Sequence, residues 1–156
     1  MQLMVKSMTG EYARQILTWK YEAPYDFYNN EGSSESLNEL LETPYYAVLN
    51  QNNELTGFFC MGKAAQVPFG YTVGAYSEDL TDIGIGMNPV LTGQGFGTLF
   101  FSFILSYIQE NYKVDSFRLT VAKFNQRAFH LYTKLGFVKK VEFSRGATVF
   151  ITMVKK

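Results

Sequence analysis

The spacing of hydrophobic positions along the chain predicts a succession of strands and helices. Short apolar or alternating runs are typical of strands, and they occur at residues 2–8, 45–50, 54–62, 81–87, 117–121, 137–144 and 148–154. Helical spacing between suitable start and stop residues occurs at 10–20, 34–42, 99–111 and 125–135. Residues 63–78 are predicted to form a loop or a weak strand. This order predicts a mixed α/β layout around one sheet.

Composition narrows the class of protein. The 156 residues suit a single domain spanning 1–156, and 47% of them are hydrophobic. Lys plus Arg and Asp plus Glu both number 14, so the chain lacks the basic surplus typical of nucleic-acid-binding proteins. Neither the N-terminus nor the most apolar stretch, 99–108, has the pattern of a signal peptide or a membrane span. We therefore expect a cytoplasmic protein with no nucleic-acid or membrane partner.

Cysteine and histidine are too scarce for several kinds of site. Cys60 is the single cysteine and His130 the single histidine. An intramolecular disulfide is therefore impossible, and we expect no metal cofactor. A cysteine nucleophile requires a nearby base. We expect Cys60 to lie in the core and His130 to lie on the surface, so neither is a candidate for catalysis.

The run TGQGFGT at residues 92–98 places three glycines between a predicted strand and a predicted helix. Amides in such a loop lie at the positive end of the helix dipole and form a ready anion site. The run lacks the lysine of the GxxxxGK[ST] phosphate loop and the spacing of the dinucleotide-binding GxGxxG. Gly84 and Gly86 in the preceding strand suit a ligand that runs along it. The alternative is a tight turn whose glycines serve packing alone.

Two runs resemble motifs of the GNAT acetyltransferase superfamily. MNPVLTGQGFGTLFF is similar to its acetyl-CoA loop, and NQRAFHLYTKLGFVKK is similar to its closing motif. The resemblance covers residues 45–145, whereas the residues before them match in element order alone. It implies a GNAT fold: a mixed, mostly antiparallel sheet of about seven strands, about four helices on its faces and a splayed central strand pair. The chain also resembles a bacterial subgroup described as ribosomal-protein-alanine acetyltransferase-like.

The resemblance implies how acetyl-CoA is held. The strand before the loop is expected to bind the pantetheine arm through its backbone, and the loop amides are expected to bind the pyrophosphate. The implied cofactor-binding residues are Ile85, Met87, Asn88, Thr92, Gly93, Gln94, Gly95, Phe96, Gly97, Thr98, Asn125, Arg127 and Tyr132. Thr92 departs from the family, which usually has Arg or Gln at this position.

Acetyl transfer to an amine needs a neutral amine, a donor for the oxyanion and a proton for the departing thiolate. A backbone N–H near Met87 is predicted to serve the oxyanion. Tyr132, which the resemblance places near the sulfur, is predicted to protonate the thiolate; the alternative is a core tyrosine. Asp82 is the predicted base, and its alternative is a salt-bridge partner. Weaker candidates for the base are Glu22, Asp26 and Glu78.

The stretch WKYEAPYDFY at residues 19–28 falls where GNAT proteins usually shape the acceptor site. Its rings can form a wall, and its acids can attract a cationic amine. The predicted substrate-binding residues are Glu22, Tyr25, Asp26 and Tyr28. The alternative is a packed loop whose acids are solvated.

Together these features predict an N-acetyltransferase that moves acetyl from acetyl-CoA to a primary amine by direct attack. The acceptor is a small-molecule amine, a peptide or protein N-terminus, or a lysine, and the protein is a monomer or homodimer. One alternative is an acetyl-CoA-binding sensor or interaction module of the same fold with weak or no turnover. Another is a non-enzymatic α/β domain that binds a protein through its aromatic surface.

Overall fold

The computed structural model describes residues 2–30 and 32–156. Its strands are β1 (Leu3–Ser7), β2 (Tyr45–Asn50), β3 (Leu55–Met61), β4 (Thr81–Met87), β5 (Phe117–Ala122), β6 (Val138–Arg145) and β7 (Thr148–Lys155). Its α-helices are α1 (Gly10–Thr18), α2 (Ser34–Glu42), α3 (Gly97–Tyr112) and α4 (Gln126–Lys134). The predicted strands and helices are confirmed, with small shifts at their ends.

The strands form one sheet in the order β1-β2-β3-β4-β5-β7-β6. The pairs β1–β2, β2–β3, β5–β7 and β6–β7 are antiparallel. The β4–β5 pair is parallel, and its described ladder joins Thr81 to Phe117 and Asp82 to Arg118, at the start of β4. A mixed, mostly antiparallel sheet of seven strands confirms the predicted fold class. The short parallel ladder is what a splayed strand pair requires.

Polar side chains fix the starts of three helices. The Thr9 hydroxyl accepts a hydrogen bond from the N–H of Tyr12 at 3.2 Å, and the Ser33 hydroxyl accepts one from Ser36 at 3.1 Å. The Asn125 side-chain oxygen accepts the Ala128 N–H at 3.1 Å. Each bond satisfies an amide that has no acceptor within its own helix. The helix starts expected at Thr9 and Asn125 are therefore confirmed.

The segment between β3 and β4 is not a weak strand. It forms two 3-10 helices, Gly62–Ala65 and Pro68–Val73. The Val67 N–H donates to the hydroxyl of Tyr76 at 2.9 Å. A side chain at Gly70 would place its Cβ 2.8 Å from the Tyr76 ring and 3.1 Å from the Phe143 ring. Such contacts depend on the folded chain, so the hydrophobic pattern could not predict them.

The chain divides into two compact units. The first unit comprises residues up to 60 together with 85–101, and the second comprises 61–84 and 102–156. In the first unit, α1, α2, β2 and β3 supply the buried cluster Ala13, Ile16, Leu17, Leu40, Ala47, Leu49 and Leu55. In the second unit a buried cluster is formed by Ala75, Ala122, Phe143 and Phe150. That the whole chain acts as one domain stays a prediction.

Candidate functional site

The loop between β4 and α3 has the backbone geometry that its glycines allow. A 3-10 turn, Pro89–Leu91, follows β4, and α3 begins at Gly97. Gly93 and Gly95 both have a φ of 75°, a conformation that side chains disfavour. A Cβ added at Gly95 would meet nothing within 4 Å. The backbone conformation, and not crowding, therefore calls for glycine at this position.

The start of α3 offers amides to a ligand. The N–H groups of the first residues of a helix have no acceptor within the helix. At this end the first described bond joins the Phe100 N–H to the Phe96 carbonyl oxygen at 3.0 Å. The amides of Gly97, Thr98 and Leu99 lie before that bond, at the positive end of the helix dipole. The loop and helix start thus have the chemistry of an anion site.

The polar side chains of the loop turn back to the preceding 3-10 turn. The Thr92 hydroxyl donates to the Pro89 carbonyl oxygen at 2.8 Å, and the Gln94 side-chain amide donates to the Val90 carbonyl oxygen at 2.7 Å. In this arrangement both side chains stabilise the turn. These bonds leave the backbone amides as the available donors of the loop, and their binding of an anion stays a prediction.

Asn88 fixes the end of β4. Its N–H donates to the Thr56 carbonyl oxygen at 2.8 Å, and its side-chain amide donates to the Leu55 carbonyl oxygen at 3.1 Å. Its side-chain oxygen accepts the Val90 N–H at 3.1 Å. Asn88 therefore anchors the loop to β3. Its N–H is thus engaged by β3, and the binding of a pantetheine arm by Ile85, Met87 and Asn88 stays a prediction.

Gly86 is explained by packing. A Cβ at Gly86 would collide with the ring of Phe58. A Cβ at Gly57 in β3 would collide with the ring of Phe100 and crowd the Gly86 carbonyl oxygen, 2.5 Å away. These contacts favour the packing alternative for Gly86. They also seat the first turn of α3 against β3, which places the start of the helix at the end of β4.

Tyr21 links the predicted acceptor loop to β4, and the sequence analysis did not include it among the site residues. Its hydroxyl donates to the Met87 carbonyl oxygen at 2.7 Å. Burial raises the pKa of Tyr21 to about 12, so the hydroxyl stays protonated at neutral pH. Tyr21 is one of several tyrosines in its stretch, and no local pattern distinguishes it from the others.

The predicted acceptor residues lie in the same loop as Tyr21. Tyr25, Asp26 and Tyr28 belong to a 3-10 helix, Tyr25–Tyr28, and Glu22 precedes it. Glu22, Asp26 and Tyr28 are exposed, whereas Tyr25 is half-buried. The rings of Phe27 and Tyr28 meet edge to face with centres 5.2 Å apart. The first unit thus gathers exposed acids and aromatic rings in one loop, and their binding role stays a prediction.

In the second unit, Asp82 lies in a closed ion pair. Its side chain is 3% exposed, and its two oxygens accept from Arg118 Nε and Nη2, both at 2.7 Å. Gln66 donates to the same carboxylate at 2.8 Å. The salt-bridge alternative for Asp82 is confirmed. Both carboxylate oxygens are engaged by donors inside the fold, and the role of Asp82 as the base stays a prediction.

Arg118 is held by further contacts in the second unit. Its Nη1 donates to the Glu78 carbonyl oxygen at 2.9 Å, and its guanidinium carbon lies 5.1 Å from the centre of the Tyr76 ring. The Tyr76 hydroxyl lies 2.8 Å from the Thr120 hydroxyl. The exposed Glu78 carboxylate pairs with Lys156, and hydrogen bonding to Lys156 lowers its pKa. Glu78 is thus a partner in a surface ion pair.

The remaining predicted residues of the second unit lie on or beside α4. Tyr132 is 9% exposed, and its ring centre lies 6.2 Å from that of Phe137. Asn125 caps the helix, and Arg127 is exposed. Cys60, in the first unit, is buried and His130 is exposed, as expected. The catalytic role of Tyr132 stays a prediction.

The described residues contain neither a metal-binding cluster nor a helix suited to span a membrane. Across 2–30 and 32–156 there is no group of three or more His, Cys, Asp or Glu side chains suited to a metal ion. None of the helices in these ranges is long and apolar enough to cross a membrane.

The sequence of the chain matches the model of one protein family. The sequence model of the acetyltransferase (GNAT) family matches residues 11–137. The match therefore includes α2 and α1 from its second residue onward, a region for which the sequence predicted a likeness in element order alone. Comparison with curated proteins gives no significant match.

Several solved structures similar to this chain carry the name of N-acetyltransferases. A chimera of the spermidine N-acetyltransferase SpeG from Vibrio cholerae and hSSAT is 18% identical with a TM-score of 0.68, over 99% of this chain and 95% of that one. The spermidine/spermine N-acetyltransferase SpeG from Vibrio cholerae is 18% identical with a TM-score of 0.67, over 99% and 92%. A candidate phosphinothricin N-acetyltransferase is 14% identical with a TM-score of 0.70, over 99% and 98%. At these identities the likeness concerns the fold.

Proposed function

The chain belongs to the acetyltransferase (GNAT) family, and we propose that it moves acetyl from acetyl-CoA to a primary amine by direct attack of the amine. The observation that carries this proposal is the loop at residues 92–98. Its left-handed glycines Gly93 and Gly95 turn the backbone directly into the start of α3, and its polar side chains are engaged elsewhere. Such a loop offers backbone amides to a pyrophosphate.

Acetyl-CoA supplies the acetyl group as a thioester when it is bound. We assign its pyrophosphate to the amides between Gly93 and Thr98, and its arm to the backbone of Ile85 and Met87. These donors suit an anion, because they are amides at the N-terminus of a helix of 16 residues. The space beside the loop is open at Gly95, where an added Cβ would meet nothing within 4 Å. Asn125 and Arg127 stay proposed contacts from the closing motif.

Two groups are proposed to serve the reaction itself. The N–H of Met87 stabilises the negative charge that develops on the thioester carbonyl oxygen. The hydroxyl of Tyr132 donates a proton to the departing sulfur, which suits a phenol because it is protonated at neutral pH. Asp82 was the predicted base. Because Asp82 is engaged in its ion pair with Arg118, we propose the exposed carboxylates Glu22 and Asp26 as the candidates for the base, since both belong to the predicted acceptor loop.

We propose a cationic amine as the acceptor. Exposed acids and aromatic rings in the loop of residues 20–30 are suited to attract and hold a positive charge before it is neutralised. Two of the similar solved structures carry the name of spermidine N-acetyltransferase, and spermidine is a cationic amine. A peptide N-terminus is the second candidate acceptor, because of the resemblance to ribosomal-protein-alanine acetyltransferase-like proteins.

Ligand stabilisation and thiol release test the proposal together. Saturating acetyl-CoA is expected to raise the melting temperature, because it binds the native state alone. Release of free thiol is then measured with spermidine, phosphinothricin, lysine and an alanine-terminated peptide. Stabilisation with thiol release supports the enzyme, and stabilisation without release of thiol by any amine supports the sensor alternative. No stabilisation would contradict acetyl-CoA binding and favour a protein-binding domain.

A further inference from the structure

The loop between α1 and α2 is closed at its base by hydrogen bonds. The Tyr21 N–H donates to the Asn29 side-chain oxygen at 2.7 Å, and the Lys20 ammonium donates to the Asn30 carbonyl oxygen at 3.0 Å. Two backbone bonds inside the loop, at 2.8 and 3.0 Å, close its internal turns. Residues 20–30 therefore form a compact loop whose placement depends on how its base is held.

Tyr21 and Trp19 hold the base of this loop against β3 and β4. The Tyr21 hydroxyl donates to the Met87 carbonyl oxygen, although 66 residues separate the two in sequence. The ring centre of Trp19 lies 6.1 Å from that of Phe58. Phe58 in turn occupies the space beside Gly86. Both contacts therefore lie at the last residues of β4, where the arm of acetyl-CoA is assigned.

The hydrogen bond from the Tyr21 hydroxyl reaches β4 on the edge that faces away from β3. The Asn88 N–H donates to the Thr56 carbonyl oxygen, so Asn88 faces β3. Successive residues of a strand direct their N–H and C=O groups to opposite edges. Those of Met87 therefore face away from β3. The Tyr21 hydroxyl lies on this edge, beside the N–H that we assign to the developing negative charge.

We infer that Tyr21 is a positioning residue for acetyl transfer, which couples the acceptor loop at residues 20–30 to the Met87 peptide. The inference rests on the proposed function, because it takes Met87 as a contact of bound acetyl-CoA. Acetyl-CoA restricts the Met87 peptide, and the Tyr21 hydrogen bond passes this restriction to the loop that receives the amine. Tyr21→Phe removes the hydroxyl and keeps the ring, so the coupling is lost while the packing stays.

Hydrogen–deuterium exchange tests the coupling directly. Exchange is measured with and without acetyl-CoA in the unmodified protein, in Tyr21→Phe and in Tyr12→Phe. Tyr12 is a matched control, since it is a half-buried tyrosine of α1 in the same unit and outside the proposed site. Acetyl-CoA is expected to slow exchange at residues 92–98 in all three proteins. At residues 20–30 it is expected to slow exchange in the unmodified protein and in Tyr12→Phe, and not in Tyr21→Phe.

A kinetic measurement separates positioning from general weakening of the fold. With the amine of the panel that gives the highest turnover, Tyr21→Phe is expected to raise the KM for the amine about fivefold, the usual net effect of one hydrogen bond. The Kd of acetyl-CoA, measured by calorimetry in the absence of amine, is expected to stay within about twofold, because the coupling acts when both ligands are bound. The pH–rate profile keeps its shape, because Tyr21 moves no proton in the reaction.

The possible outcomes separate this inference from the proposed function. Equal protection of residues 20–30 in the unmodified protein and in Tyr21→Phe would overturn the coupling. So would a rise in the Kd of acetyl-CoA without amine that equals the rise in the KM for the amine. Protection of residues 92–98 in either case would still support acetyl-CoA binding at the loop. Its absence from all three proteins would contradict the proposed function and, with it, the positioning role of Tyr21.

Discussion

The loop at residues 92–98 and the Asp82–Arg118 pair use polar groups in opposite ways. In the pair, both carboxylate oxygens of Asp82 accept hydrogen bonds from donors of the same unit, and both side chains are 3% exposed. In the loop, side chains bond the preceding turn and leave the first amides of α3 without a helical acceptor. Paired and buried groups stabilise a fold, whereas outward amides can bind a ligand. This difference is the reason why we propose ligand binding for the loop and a structural role for the pair.

The largest expected effect is a loss of stability when the Asp82–Arg118 ion pair is broken. Arg118→Leu removes all three described donors of Arg118 and leaves the Asp82 carboxylate buried without its charged partner. We expect a loss of about 3–5 kcal/mol in the free energy of unfolding, because an unpaired buried charge is strongly unfavourable. Denaturant titration measures this loss.

An exposed ion pair provides the control for that measurement. Lys139→Met removes a bond to Glu142 whose partners are 48% and 38% exposed. Solvent screens such pairs, so the free energy of unfolding should be essentially unchanged. If Arg118→Leu were as mild as Lys139→Met, the ion pair of Asp82 would not have the structural role described above.

The second largest expected effect is a fall in kcat, and it tests whether Tyr132 of the second unit takes part in the reaction. Tyr132→Phe removes the hydroxyl assigned to protonate the departing sulfur and keeps the buried ring. We expect kcat to fall about 100-fold, as for loss of a general acid. The affinity for acetyl-CoA, measured by calorimetry, should change by less than about twofold. Tyr112→Phe, at the exposed end of α3, is the matched control. Unchanged turnover in Tyr132→Phe would remove Tyr132 from the mechanism.

A smaller effect sharpens the role of the loop backbone. Gly95→Ala introduces a Cβ at a φ of 75° without a clash, so its cost is conformational, about 1–2 kcal/mol. We expect acetyl-CoA to bind about tenfold more weakly, which calorimetry can measure. Gly146→Ala carries a similar strain, at a φ of 60° in the turn between β6 and β7. This control is expected to lower stability and to leave acetyl-CoA affinity unchanged. Equal affinities in both variants would argue against the loop as the site.

The smallest expected effect is a gain in affinity for acetyl-CoA. Thr92→Arg introduces a positive charge at a position where the resembling family usually has Arg or Gln. We expect acetyl-CoA to bind about threefold more tightly, as for an exposed ion pair. The increase should disappear at high salt. Thr92→Val removes the same hydroxyl without adding charge and should show no gain. A gain in Thr92→Val would instead mean that the bond to Pro89 restrains the loop.

Local patterns predicted most of the fold, because strands and helices depend on the spacing of apolar residues and on caps such as Thr9 and Asn125. The glycine loop was predicted for the same reason, since its chemistry lies in seven consecutive residues. The pairing of Asp82 with Arg118 joins residues 36 apart, and that of Tyr21 with Met87 joins residues 66 apart. Nothing local marks such partners. The sequence therefore predicted a glycine loop between β4 and α3, whose binding role stays a prediction, and could not decide between base and salt bridge for Asp82.

A crystal structure of the protein with acetyl-CoA tests the central claim most directly. The account predicts pyrophosphate oxygens at hydrogen-bond distance, about 2.7–3.2 Å, from backbone amides between Gly93 and Thr98. It also predicts that the Thr92 and Gln94 side chains keep their bonds to the turn at Pro89–Leu91. A pyrophosphate bound away from this loop, or held by side chains with the amides left unused, would contradict the account.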